Sequence, residues 1–234
     1  MPITFTIHHF ILQLNVLTVL IEHMIQNIRW LGHGAFAITG PQNIFINPWR
    51  VTVTDISPDI ILVSDAHYEF CSQADIKKIR KPHTRLFSNE RGAMELEQCE
   101  VLRTWQTISI GKMTIRALPA YLNHADSPVK VEQGFGFLMS VNFFDIYYAG
   151  PTRSIPELST LRPDIAIIPI DGKTTMAPLE AAQQVAKLKP KWVVPYNWGT
   201  RVDSANRIDA EMFASEVHTL TDGQTQVLIN QPAY

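Results

Sequence analysis

Short apolar runs alternate with turn residues between positions 28 and 200, and the period within each run separates strands from helices. Ile28 to Ile38 and Asn43 to Asn47 predict neighbouring strands joined by the Gly40-Pro41 turn. Ile60 to Val63, Ile165 to Ile170 and Trp192 to Pro195 are unbroken apolar runs, the pattern of strands covered on both faces. Thr84 to Phe87 predicts a further strand. Ile108 to Pro119 predicts a strand pair around Gly111, and Phe135 to Val141 with Asp145 to Tyr148 a hairpin. Helical spacing appears over Ser72 to Ile79, ended by Lys81-Pro82, over Arg91 to Leu96, and over Pro178 to Leu188. The last has proline in its first turn, where the missing N–H costs nothing. Its expected inward face is Leu179, Ala182, Val185, Ala186 and Leu188. Strands dominate early in each half and helices fall between the later strands, which predicts an α/β fold with sheets covered by helices.

The amino-terminal stretch differs from the rest. Phe10 to Ile25 is rich in Leu, Ile and Val, but Gln13, Asn15, Glu22 and His23 interrupt it, so it is too polar to span a bilayer. It has no basic leader and no small-residue cleavage site. Leu14, Leu17, Ile21 and Met24 recur at helical spacing. Such a stripe either packs on its own domain or forms a subunit contact that builds a homo-oligomer, and the first is the ordinary use of an apolar stripe. The expected organisation is an extension over 1–27, helical and packed on the domain, followed by one domain over 28–234.

Composition narrows the function classes. The chain has 234 residues, 46% hydrophobic and 18% charged, which suits a folded globular protein. Its net charge is −2 and it has no basic stripe, so nucleic acid and anionic membranes are not expected partners. Cys71 and Cys99 form neither a disulfide framework nor a CxxC pair, which predicts free thiols in a reducing, cytoplasmic setting.

The chemistry concentrates after the strand at Ile60. Asp65, His67 and Glu69 are spaced two apart, and if the strand continued their side chains would converge on one side. All three residue types are competent metal ligands. The surrounding stretch, Ser-Asp-Ala-His-Tyr-Glu-Phe, resembles the Thr-His-x-His-x-Asp-His signature of the metallo-β-lactamase superfamily. Further segments resemble its lactonase-like branch in the same order along the chain. They are Trp30 to Phe36, Ile44 to Trp49, Ala120-Tyr121, Gly134 to Phe137, Tyr147 to Leu158, Asp164 to Met176 and Lys189 to Gly199.

The resemblance implies an αββα sandwich, two mixed sheets face to face with helices outside, and a metal site at one edge. Members hydrolyse lactones, esters, amides or phosphoesters with one or two metal ions, commonly zinc, which lower the pKa of a bound water to about 7. The resemblance also locates substitutions at the metal positions. Asp65 stands for a histidine, Glu69 for an aspartate and Phe70 for a histidine. Pro151 stands for the bridging aspartate, Asn197 for the last histidine and Asn47 for a supporting aspartate. Only His67 is kept. The reading that follows is a hydrolase scaffold with a degenerate metal centre and no cofactor, a pseudoenzyme that binds a small molecule or a protein partner.

The alternative is an active hydrolase of a lactone, ester or phosphoester with one atypically held ion, zinc or another divalent cation. Its ligands would come from Asp65, His67, Glu69 and His124. Asp65 and His67 are also the candidate acid–base pair. His33, at a family histidine beside the cleft, either orients a ligand or bonds a backbone carbonyl. Asp171, at a family glycine, and Lys173 read as solvated loop charges. Cys71, beside a helix start, is a minor candidate for a thiol nucleophile.

Overall fold

The computed structural model describes residues 16–52, 55–122, 131–199 and 205–231. It contains the two mixed sheets expected of an αββα sandwich. The first sheet comprises β1 (Ile28–Gly32), β2 (Ala35–Ile38), β3 (Ile44–Ile46), β4 (Ile60–Leu62), β5 (Arg85–Ser88) and β6 (Glu100–Val101), in that spatial order. β1 to β3 pair antiparallel and β3 to β6 pair parallel. The second sheet comprises β7 (Thr107–Ile110), β8 (Met113–Leu122), β9 (Val131–Val141), β10 (Phe144–Tyr148), β11 (Ile165–Pro169), β12 (Trp192–Tyr196) and β13 (Gln226–Val227). It is antiparallel from β7 to β10 and parallel from β10 to β13. The helices are α1 (16–26), α2 (Gln73–Ile79), α3 (Glu90–Glu95), α4 (Pro178–Leu188) and α5 (Arg207–Leu220).

Period-two alternation explains the continuous apolar strands. Phe36, Ile38, Ile44, Ile46, Ile60 and Leu62 belong to the main core, together with Phe137, Ile146 and Ile167 of the second sheet. Their neighbours Ala37, Phe45, Ile61 and Val63 belong to a second core, with Ile76 and Ile79 of α2. A strand that buries both faces has no polar alternation to display.

Three expectations change. Ile28 to Ile38 is not one strand: it breaks at Gly32 (φ 104°) and His33 (φ 47°) and folds back as the β1–β2 hairpin. Leu179 is exposed. It shares one helical line with half-buried Ala186 at the margin of α4, whose buried stripe is Ala181, Ala182, Gln184, Val185 and Leu188. On α1 the buried residues are Ile21, Met24 and Ile25, which join the main core, while Leu17 is 42% exposed. Ile21 and Met24 keep the expected stripe, which loses Leu17 and gains Ile25, and Leu14 lies outside the described residues. No described helix is long and apolar enough to cross a membrane.

One buried carboxylate ties α2 to the loop after β3. Asp75 accepts hydrogen bonds from the Arg50 amide (2.9 Å) and the Ser72 hydroxyl (2.7 Å), and pairs with Lys78 (2.7 Å). Burial alone would raise its pKa. Lys78, Ser72 and the Arg50 amide outweigh that and hold it below its ordinary 3.8. A depressed carboxylate stabilises the fold above its unfolded pKa, and the contribution is lost as pH falls through the folded value. Urea unfolding midpoints should therefore drop more steeply below about pH 4 for the unaltered protein than for Asp75→Asn. Parallel pH profiles would dismiss this linkage.

Candidate functional site

The loops that leave β4, β10, β11 and β12 at their carboxyl ends meet in one polar cluster. Asn47, in the left-handed region at φ 46°, is fully buried at its centre. Asparagine tolerates that conformation better than most residues. Its side-chain oxygen accepts from the Ser64 amide (2.7 Å), and its amide nitrogen donates to the Ser64 hydroxyl and to Tyr148 Oη (both 2.8 Å). Tyr148 Oη donates in turn to the Gly34 carbonyl (3.0 Å). Tyr148 stacks on Tyr196, ring centroids 5.4 Å apart, and Tyr196 Oη donates to the Gly150 carbonyl (2.9 Å). Desolvation in the core pushes both phenols above their usual range, so both stay neutral hydrogen-bonding groups.

Asp65, His67 and Glu69 do not converge as a continued strand would place them. β4 ends at Leu62, and residues 66–70 form a turn in which the Phe70 and Cys71 amides both donate to the His67 carbonyl (2.8 and 2.9 Å). The turn destroys the two-residue alternation. Asp65 and Glu69 are buried, whereas the His67 side chain is 51% exposed. His67 Nδ1 stands 4.0 Å from Glu69 Oε2, beyond hydrogen-bond reach. Asp65 Oδ1 accepts from the His67 amide (2.7 Å), and its Oδ2 is buried with no hydrogen-bond partner among the described residues. Burial raises the Asp65 pKa, against the opposing pull of the His67 amide, Arg91 and the His67 ring. The start of β9 presses on this segment: the Phe135 amide donates to the Ser64 carbonyl (2.6 Å), and a Cβ on Gly134 would lie 2.5 Å from that carbonyl oxygen.

Three of the positions that the resemblance marks as substituted, Asn47, Phe70 and Asn197, are held by the protein's own groups. The Phe70 ring is buried against Gly34, where an added Cβ would lie 2.6 Å from the ring. Asn197 (φ 64°) donates from its amide nitrogen to Asp171 Oδ2 (3.2 Å). Asp171 is therefore not a solvated loop charge. It is 5% exposed and accepts the amides of Lys173, Thr174 and Thr175 (2.9, 3.1 and 2.9 Å) and the hydroxyls of Thr174 and Thr175 (2.6 and 3.0 Å). Lys173 is exposed, as expected of a loop lysine. The His33 ring packs edge-on against Trp49, centroids 4.2 Å apart. Burial, with Glu95 and Asp65 adding to it, pushes the Cys71 thiol up to about 11, which removes it as a nucleophile near neutral pH.

These residues do not fit a metal centre of the family's kind. Pro151 and Phe70 have no donor atom, Asn197 is held by Asp171, and no three His, Cys, Asp or Glu side chains gather among the described residues. A closed site needs three or four such ligands near 2 Å. His124 lies outside the described residues. The sequence singles out Asp65, His67, Phe70, Asn47 and Asn197, but it shows neither the network of Ser64, Tyr148 and Tyr196 nor the burial of Asp171. The apolar strands ending in Tyr148 and Tyr196 were the available signal for the tyrosines.

Similarities to known proteins bear on this arrangement. A family model described as a beta-lactamase superfamily domain matches residues 27–197. A UPF0173 metal-dependent hydrolase of Thermococcus kodakarensis is 28% identical over 222 residues, covering 88% of this chain and 96% of that protein. A crystal structure from Parabacteroides distasonis superposes with a TM-score of 0.73 at 26% identity, covering 87% of this chain and 91% of that one. The structure of Igni18, a metallo hydrolase from Ignicoccus hospitalis, superposes at 0.74 with 20% identity, covering 88% and 95%.

Proposed function

The chain belongs to the beta-lactamase superfamily domain family, and from that premise we propose that it is a pseudoenzyme: a hydrolase scaffold that has lost metal-dependent activity and binds a small molecule or a protein partner through the old cleft. One observation carries this reading. The position of the family's last metal histidine is an asparagine whose amide nitrogen is already committed to the buried Asp171 carboxylate. A carboxylate that accepts six hydrogen bonds in the interior is a structural anchor, and an amide held by it is not free to turn toward a cation. Phe70 packed on Gly34 and Pro151 on the β10 loop support the reading at two other positions.

Protein purified without added metal is expected to hold well below one equivalent of zinc, manganese or iron by elemental analysis. It should also be inactive on lactones, esters and phosphodiesters with divalent ions supplied. Stoichiometric zinc with chelator-sensitive hydrolysis would overturn the proposal.

The unpartnered Oδ2 of Asp65 favours one further reading: a single divalent ion bound to that oxygen in a hydrolase that is still active, with His124 as a further ligand and with His67 and Glu69 turning toward it from the positions described above. The relatives' name, metal-dependent hydrolase, points the same way. Under that reading Asp65→Ala abolishes both bound metal and turnover. Under the pseudoenzyme reading it changes neither.

A further inference from the structure

A cavity of about 290 Å³ opens beside this cluster, lined in part by Glu90 and Arg91 after β5, Arg103 and Thr104 after β6, and Gly134 and Phe135 of β9. It lies outside the carboxyl ends of parallel strands, the common place for ligands in α/β sheets. Its volume is near the lower end of small-molecule sites, about 300 Å³. Phe135 supplies a buried apolar wall and Thr104 a hydroxyl.

The two arginines set its character. Arg80, Arg85, Arg153, Arg162 and Arg207 all direct their guanidiniums to carboxylates or backbone carbonyls, and Arg50 and Arg116 lie over tryptophan rings. Among the described residues Arg29, Arg91 and Arg103 make no side-chain hydrogen bond or ion pair, and the last two line this cavity, where Arg91 also acts electrostatically on Asp65. Among the lining residues two arginines stand against the single carboxylate of Glu90, with the buried Asp65 near Arg91, so the rim of the cavity carries more positive than negative groups in a chain whose net charge is −2. Planar guanidinium forks suit carboxylate and phosphate oxygens.

We propose that this cavity binds a small organic anion, a phosphomonoester or carboxylate with an apolar body, its charged head between Arg91 and Arg103 and its body against Phe135. The proposal rests on the ligand-binding half of the function given above and names the ligand class for it.

Isothermal titration calorimetry with phenyl phosphate, benzoate and benzyl alcohol tests it. Saturable binding is expected for at least one anion and none for the alcohol. Tighter binding of phenyl phosphate assigns a phosphoester, and tighter binding of benzoate a carboxylate. Arg91→Ala and Arg103→Ala should each weaken the preferred anion about tenfold, the loss expected for one charge-assisted hydrogen bond. Arg91→Lys and Arg103→Lys should recover part of it. Added salt should weaken binding to the unaltered protein, a readout that depends on no variant.

Equal binding of the alcohol, no saturation into the millimolar range, or affinity indifferent to salt or to both alanine changes would overturn the assignment. Metal analysis of the same sample keeps the two proposals apart. Zinc present with anion binding intact sinks the pseudoenzyme reading alone, and zinc-free protein that ignores all three probes sinks the anion site alone.

Discussion

Asp171→Ala is expected to destabilise the protein by about 3–5 kcal/mol, the range for leaving buried polar partners uncompensated. The carboxylate organises three successive amides, two threonine hydroxyls and the Asn197 amide. Removing it strands several buried donors at once, and each unsatisfied buried group costs about 1–3 kcal/mol. Asp171→Asn separates hydrogen bonding from charge. An asparagine oxygen can still accept the three amides, but its NH2 would face the Asn197 NH2, donor against donor. The asparagine variant should therefore fall between the unaltered protein and the alanine variant. The check is urea unfolding followed by tryptophan fluorescence, since Trp198 is next to Asn197. An unchanged midpoint for Asp171→Ala would show that the loop charge is solvated after all, and would remove the main support for Asn197 as a committed side chain.

Gly150→Ala should be comparably damaging, about 3–5 kcal/mol or roughly 10 °C in melting temperature for a chain of this size. Gly150 has φ 71°, a backbone region that L-residues with a side chain adopt at a cost. A Cβ there would also run into the Phe135 carbonyl, which is backbone and cannot rotate away. The same loop carries Pro151, and the Gly150 carbonyl accepts from Tyr196 Oη, so the strain would pass directly into the stacked tyrosines. Gly172→Ala is the internal comparison. Its φ is similar at 75°, but its nearest neighbours to an added Cβ are the Ala177 atoms at 3.8 and 4.0 Å, so only the conformational cost remains. Equal losses from the two changes would mean that close packing of β9 on this loop contributes nothing.

Much of the fold was legible because hydrophobic burial is written locally. The runs at Ile60, Ile165 and Trp192 announced strands covered on both faces. Pro178 opened a helix where a missing donor is harmless, and the structure keeps all four elements. The scaffold segments that resemble the family are likewise local and ordered, so the sandwich could be expected before any coordinates. The shortfalls have physical causes. α5 presents only Ala210, Phe213 and Val217 to the core, and its capping box at Asn206 and Asp209 is a short-range signal without a strong apolar stripe behind it.

At the site, the sequence by itself determined which donor atoms exist: Pro151, Phe70 and Asn197, which stand where the resemblance would put metal ligands, carry no carboxylate or imidazole, and no folding can change that. Only the tertiary structure decided where the remaining groups point. The turn at residues 66–70 cancels the alternation that would have aligned Asp65, His67 and Glu69. Asp171, which reads as a surface loop charge, is drawn inside because three amides and an asparagine 26 positions away need an acceptor there. Arg91 and Arg103, in unrelated segments, come to share one cavity because β5 and β6 end side by side. Side-chain identity is local, but convergence and desolvation depend on groups far apart in the chain, and those are set only when the two sheets close on each other.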